Sequence, residues 1–190
     1  PMSARRQRQM CIRDSNLVPN KFPTLDGDHP RMVIPFRDSN GDIFAYQGRA
    51  FGNEKPKYIT IILDDSVPKI FGLDRVDTTS DILVVEGPID SLFIDNCIAV
   101  AQSDLRVPQY KDKAVLVPDN EPRNREVIKQ IEKAIDENYR VVVWPDYVRQ
   151  KDINDMILSG MDALEIMDII SNNTFQGLSA KVEFQKWKKI

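Results

Sequence analysis

The chain has 190 residues, 42% of them hydrophobic, enough to bury a real core as one domain with a smaller attachment; its net charge of −3 excludes a globally basic nucleic-acid binder and leaves only a local basic surface for such a partner. His29 is the only histidine, and Cys11 and Cys97 lie far apart without C-x-x-C spacing, so a zinc site and Ser-His or Cys-His mechanisms all lack parts. No apolar run approaches the roughly 18 residues of a membrane span and no signal peptide is visible, which makes a cytoplasmic location the default and excludes a membrane partner.

Residues 1–15 contain Arg5-Arg6-Gln7-Arg8-Gln9-Met10-Cys11-Ile12-Arg13-Asp14-Ser15, which resembles the translation of a sequencing-library adapter. They are set aside as a non-native-looking leader, and the natural chain is expected to begin upstream of it. Residues 16–79 read as a small β-rich subdomain. Met32–Phe36 and Ile43–Arg49 alternate apolar and polar side chains around Asp38-Ser39-Asn40-Gly41-Asp42, and Asn-Gly between two such runs predicts a hairpin. Thr60–Leu63 adds a third strand.

From residue 80 the pattern changes to strands alternating with helices, which predicts a parallel α/β unit over 80–172. Strands are expected at Ile82–Glu86, Cys97–Ala101, Ala114–Val117 and Arg140–Trp144. The expected fold class is therefore α/β, a four-stranded parallel sheet between helices, preceded by a small antiparallel β-rich subdomain. In Asn124–Asn138, residues Val127, Ile128, Ile131, Ala134 and Ile135 recur at helical spacing and make one apolar face. Further helices are expected at Asp152–Leu158 and Asp162–Ile170, and residues 173–190 are read as a carboxyl-terminal tail.

Three acidic clusters sit where this topology reverses the chain. Glu86 closes the run Ile82–Val85; Gly87 then lets the backbone turn sharply, Pro88 suits a first helical position, and Asp90 is expected one helical turn beyond Glu86. Asp119 and Glu121 follow Val115-Leu116-Val117-Pro118, and Asp152 and Asn154 follow the last strand. Open α/β sheets bind ligands at the carboxyl ends of their strands. Carboxylates held about 4 Å apart repel by roughly 4 kcal/mol at an effective dielectric near 20, so gathering several calls for a cation. Mg²⁺ takes oxygen ligands and bridges carboxylates to phosphates, which is the chemistry of nucleotidyl transfer. Trp144 and Tyr147 could stack on a base, although Trp144 ends an apolar strand and reads as core.

Together Glu86-Gly87-x-x-Asp90, Asp119-x-Glu121 and Lys151-Asp152-x-Asn154 resemble the toprim domain shared by bacterial-type primases, topoisomerases and some nucleases. Upstream, Ile34-Pro35-Phe36-Arg37-Asp38, Gly48-Arg49 and Lys55-Pro56-Lys57-Tyr58 are similar to the basic subdomain that precedes toprim in primases of the bacterial and phage class. Pro122-Arg123-Asn124, Trp144-Pro145 and the stretch from Gly177-Leu178 to Trp187-Lys188 look most like the primases of T-even-type bacteriophages. The resemblance implies DNA-templated synthesis of short RNA primers, with Glu86, Asp119 and Glu121 catalytic and these three with Asp152 binding two or three Mg²⁺ ions, for which Mn²⁺ can substitute. Asp90 and Asn154 would support them. Arg49, Lys57 and Lys151, and more weakly Arg37, Lys55, Arg123 and Arg125, would contact nucleotide or template phosphates.

Glu121 and Pro122-Arg123-Asn124 depart from the family pattern, which has a second aspartate and then a glycine. The implied partners are single-stranded DNA, ribonucleoside triphosphates and a replicative helicase, in the cytoplasm of the host cell if the chain is phage-encoded. An amino-terminal zinc-binding domain, which selects start sites in this family, is expected to be missing, and zinc is not expected here. Two alternatives remain: a toprim-type Mg²⁺-dependent nuclease, and a non-catalytic fragment that docks on helicase and DNA.

Overall fold

The computed structural model describes residues 30–190 apart from Glu54 and Ser103. The leader, Cys11 and His29 lie outside the described residues. Two compact units meet after Pro68, and each is described by itself.

In the first unit β1 (Arg31–Arg37), β2 (Ile43–Ala50) and β3 (Tyr58–Ile62) form an antiparallel sheet in that order. The predicted hairpin stands between β1 and β2. Asp38 Oδ1 accepts from the backbone N–H groups of Asn40 and Asp42, both at 2.9 Å, an Asx-type turn, and Gly41 takes φ +88°, which an L side chain adopts only under strain. Phe36 and Phe44 meet edge to face at 6.1 Å between ring centroids and anchor the buried side of this small sheet.

The second unit carries a five-stranded sheet in the order β5-β4-β6-β7-β8. Strands β4 (Ile82–Val85), β5 (Cys97–Ala99), β6 (Ala114–Leu116) and β7 (Arg140–Val142) run parallel. Their residues are buried almost throughout, as a parallel sheet covered on its faces requires. The expected four-stranded sheet gains a fifth strand, β8 (Thr174–Phe175), antiparallel to β7. Two residues are too few to reveal a period of two, so this edge strand left no pattern in the sequence.

Four helices accompany the sheet: α1 (Arg125–Asp136), α2 (Ile153–Leu158), α3 (Ala163–Asn172) and α4 (Gly177–Trp187). Asn124, Asp152 and Asp162 cap the first three through side chains that accept from Glu126, Asp155 and Glu165 N–H groups at 3.0, 2.8 and 2.8 Å, which fixes where each helix begins. The five apolar residues expected on one face of α1 are all buried; Val127, Ile128, Ile131 and Ile135 each contribute about 1.5–3 kcal/mol by leaving water. Residues 173–190 are no loose tail. They supply β8 and α4, and Ala180, Phe184 and Trp187 of α4 are buried at spacings of four and three.

Strand order places the site. The chain steps from β4 to β5 on one side, then crosses to β6 on the other side of β4 and continues outward to β7. The connections therefore diverge between β4 and β6, and a crevice opens at the carboxyl ends of that pair.

Candidate active site

Glu86 follows β4 and Asp119 follows β6 by way of Val117-Pro118, so the two carboxylates leave neighbouring strands at the point where the connections diverge. The strands stay bonded up to the exit, with Val117 N–H donating to Val84 O at 2.8 Å.

No helix follows Glu86. The expected helical turn is instead a short 3-10 turn at Asp90–Leu92, where Ser91 is held both by its own loop and by an arginine from outside the motif. Ser91 Oγ donates to Pro88 O at 2.8 Å, and Arg75 Nη2 donates to Ser91 Oγ and O at 2.9 and 3.2 Å. Asp90 consequently folds back over Gly87, where a Cβ would stand 2.5 Å from its Oδ2. Any larger residue there would have to displace the Asp90 carboxylate. Asp90 Oδ1 also accepts from Asn154 N–H at 2.9 Å, tying the first loop to the start of α2.

The cluster is short of positive charge. Burial pushes the Glu86 carboxyl up to about 7, the Asp119 charge adds to the rise, and Lys151 opposes it. Burial likewise raises Asp90 to about 6, against the Asn154 N–H and helped by the charges of Asp152 and Asp119. Asp119 is also raised, first by burial, with Lys151 working the other way. Carboxylates with such proton affinities favour any added cation.

Lys151 is the cation already present, its Nζ 3.1 Å from Asp119 Oδ2 and 3.8 Å from Glu121 Oε2. Burial disfavours its charge, but Asp119, Glu121 and Asp152 together outweigh that and raise its proton affinity. The sequence placed this lysine on phosphates; its contacts in the structure are with the carboxylates. Glu121 Oε2 accepts from Asn124 Nδ2 at 3.1 Å, and Asp152 spends one oxygen capping α2.

Among the described residues no three Asp, Glu, His or Cys side chains stand close enough to hold one ion between them. The donor set nonetheless suits a hard divalent cation in kind, being all carboxylate oxygen, and in charge, being raised toward protonation where buried.

One residue escaped the sequence reading. Asn120, between Asp119 and Glu121, donates from its side chain to Val148 O at 2.9 Å and Gln150 O at 3.2 Å, and from its backbone to Lys151 O at 2.6 Å. Its Oδ1 accepts from Trp187 Nε1 at 3.0 Å. This amide staples the Asp119–Glu121 loop to the segment that delivers Lys151 and Asp152, and fastens α4 to both. A partner 67 residues away has no signature in local sequence.

Arg123 and Arg125 are exposed beside this loop. Arg37, Arg49, Lys55 and Lys57 belong to the first unit, where Arg37 Nη1 donates to Gly41 O at 2.6 Å and the Arg49 and Lys57 cations lie 5.9 and 5.7 Å from the Tyr58 ring centroid. Trp144 is core, 3% exposed with Nε1 donating to Pro118 O at 2.7 Å. No helix among the described residues is long and apolar enough to cross a membrane.

No family model matches the chain. The DNA primase of enterobacteria phage T4 is 45% identical over 166 residues, covering 85% of this chain and 48% of the phage protein. The chain is a homologue of the DNA primases. It spans about half the length of that relative. A primase domain from Pseudomonas aeruginosa superposes with a TM-score of 0.62 at 22% identity, over 82% of this chain and 54% of that one. A primase catalytic domain bound to single-stranded DNA superposes at 0.60 with 19% identity, over 80% and 54%. At these identities the solved structures establish the fold, the toprim-containing α/β architecture of primase catalytic cores, and the phage relative establishes the homology.

Proposed function

We propose that this primase homologue makes short RNA primers on single-stranded DNA by Mg²⁺-dependent nucleotidyl transfer during phage DNA replication, in the cytoplasm of the host cell. The single observation that carries the reading is the pair Glu86 and Asp119, at adjacent strand ends in the diverging crevice with raised proton affinities.

Residues 16–79 serve as the β-rich subdomain of the polymerase domain, 80–172 as the toprim domain, and 173–190 as the carboxyl-terminal segment that braces it. Glu86, Asp119 and Glu121 are the catalytic carboxylates, and with Asp152 they would hold the divalent ions, two or three in number, Mg²⁺ or Mn²⁺. When bound, such ions lower the pKa of the attacking 3′ hydroxyl and neutralise the pyrophosphate that leaves as the new phosphodiester forms. A cation held here would favour the ionised form of Glu86, whose buried surroundings otherwise favour the proton. Asp90, held by Asn154 N–H, keeps the first loop closed over Gly87. Lys151 balances Asp119 and Glu121, and its ammonium would be available to a phosphate if a bound cation took over that role. Arg49, Lys57, Arg37, Lys55, Arg123 and Arg125 bind template or nucleotide phosphates without reading sequence. A replicative helicase is the protein partner.

The test is incubation of the chain with single-stranded DNA, labelled ribonucleotides and Mg²⁺, with and without a replicative helicase. Labelled oligoribonucleotides that vanish in the Glu86→Gln variant and in chelator are expected. No product under any condition, or DNA cleavage that needs no ribonucleotide, overturns the proposal.

A further inference from the structure

A groove of about 550 Å³ opens on the far side of Glu121, between the Asn120–Asn124 loop, the Trp144–Arg149 segment and the end of α4. Its size is that of a site for one small organic ligand. Half-buried Pro122 and Pro145 line it together with Trp144 and Trp187, which are only 3% and 5% exposed; both indole N–H groups are bonded into the protein, to Pro118 O at 2.7 Å and Asn120 Oδ1 at 3.0 Å. Lys189 donates its backbone N–H to Pro122 O at 2.8 Å, closing α4 onto the catalytic loop.

The rim carries unspent positive charge. Lys189 Nζ is matched by Asp146 at 3.3 Å and Glu121 by Asn124 and Lys151. The guanidinium groups of Arg123 and Arg149, both exposed, form no hydrogen bond or ion pair among the described residues. Two free planar forks at the mouth of an apolar-floored groove match a phosphate oxygen set above a flat, weakly polar ring. Glu121 belongs to both the groove and the carboxylate cluster, so a ligand here lies directly beside the reacting centre.

We propose that this groove binds one ribonucleotide through its 5′ phosphates, with Arg123 and Arg149 as the phosphate ligands and the base against Pro122 and Pro145, close enough to the buried Trp144 and Trp187 for their emission to report it. The chemistry is shared by a free nucleoside triphosphate and by the triphosphorylated 5′ end of a nascent primer. The inference rests on the primase reading of the adjoining carboxylates and assigns them a second nucleotide subsite.

Because the chain's only two tryptophans both line the groove, intrinsic fluorescence reads its occupancy. The chain is titrated in chelator with ATP, with a short 5′-triphosphorylated oligoribonucleotide and with inorganic triphosphate. A saturable change in indole emission is expected for the two nucleotides. Arg149→Glu and Arg123→Glu each weaken it by roughly tenfold or more, as loss of one charged hydrogen-bond pair implies, while Glu86→Gln, which lies outside the groove, leaves it in place. Tighter binding of the oligoribonucleotide identifies the primer end as the ligand, and tighter binding of ATP identifies the free nucleotide. No emission change, or binding that survives both arginine variants but is lost in Glu86→Gln, overturns the proposal. A chain that makes primers with silent tryptophans defeats the groove alone; one that binds nucleotide here but makes no primers defeats the enzymatic reading alone.

Discussion

Replacing Glu86 by Gln should stabilise the protein at alkaline pH while removing activity. Glutamine keeps the shape and the acceptor oxygen but not the charge that burial and Asp119 penalise. Each tenfold change in proton affinity is worth about 1.4 kcal/mol, so a carboxyl raised from 4.5 to about 7 carries about 3 kcal/mol of penalty once ionised; screening at a partly exposed site reduces this to about 2 kcal/mol. The pH dependence follows from linkage. Near pH 4 and below, the group is protonated in both folded and unfolded chains and the substitution is neutral. Between about 4.5 and 7 the unfolded chain ionises first, so wild-type stability falls relative to the variant as pH rises, and above 7 the difference is full and constant. For a chain of this length about 2 kcal/mol moves Tm by about 4–8 °C. Thermal unfolding in chelator at pH 5, 6, 7 and 8 should show the variant's advantage growing along that series. Saturating Mg²⁺ should shrink the advantage at pH 8, because the ion stabilises only the carboxylate form. An advantage independent of pH, or a variant less stable than wild type at pH 8 in chelator, would refute the account of Glu86.

Gly87→Ala places a Cβ on Asp90 Oδ2 and should break the bond to Asn154 N–H, lowering stability in urea by about 1–2 kcal/mol and reducing primer synthesis; unchanged values on both counts would show that Asp90 does not depend on this glycine. Asn120→Ala removes three side-chain hydrogen bonds and should cost about 2–4 kcal/mol while raising the Mg²⁺ concentration needed for half-maximal synthesis severalfold, since the two acidic loops lose their staple; a stability loss with an unchanged Mg²⁺ requirement would make Asn120 purely structural. Lys151→Met strips the countercharge from Asp119 and Glu121, so the proton affinity of Glu86 should rise further and the acidic limb of the pH–rate profile should move to higher pH. A limb that stays in place would show that Lys151 does not act on Glu86.

Much of this architecture was legible because it is local. Alternation around Asn40-Gly41, the apolar face of α1 and the helix starts expected at Asn124, Asp152 and Asp162 each declare themselves within a dozen residues. The strand-end positions of Glu86 and Asp119 followed from the same patterns. What the sequence concealed is nonlocal or too short. The 3-10 turn at Asp90–Leu92 replaces a helix because Arg75 reaches Ser91 from outside the motif. Strand β8 is two residues long. Residues Ala180, Phe184 and Trp187 do recur at helical spacing, but exposed Leu178 and Val182 blur the face of α4. Glu121 and Lys151 form a pair only because the loops after β6 and β7 converge, and Asn120 helps to hold them so.

That convergence bears on why a lysine should stand inside this acidic cluster at all. Buried carboxylates without a cation would strain the apo fold, and a site built of acids alone would be stable only when loaded. With Lys151 Nζ at 3.1 Å from Asp119, the empty cluster keeps part of its neutralisation, while its exposed and flexible stem costs little to displace. A divalent ion held by these carboxylates would remove the electrostatic reason for the ammonium to stay between Asp119 and Glu121. Lys151 would then be free to meet a phosphate oxygen, so the phosphate role expected from sequence is compatible with the carboxylate contacts found in the structure.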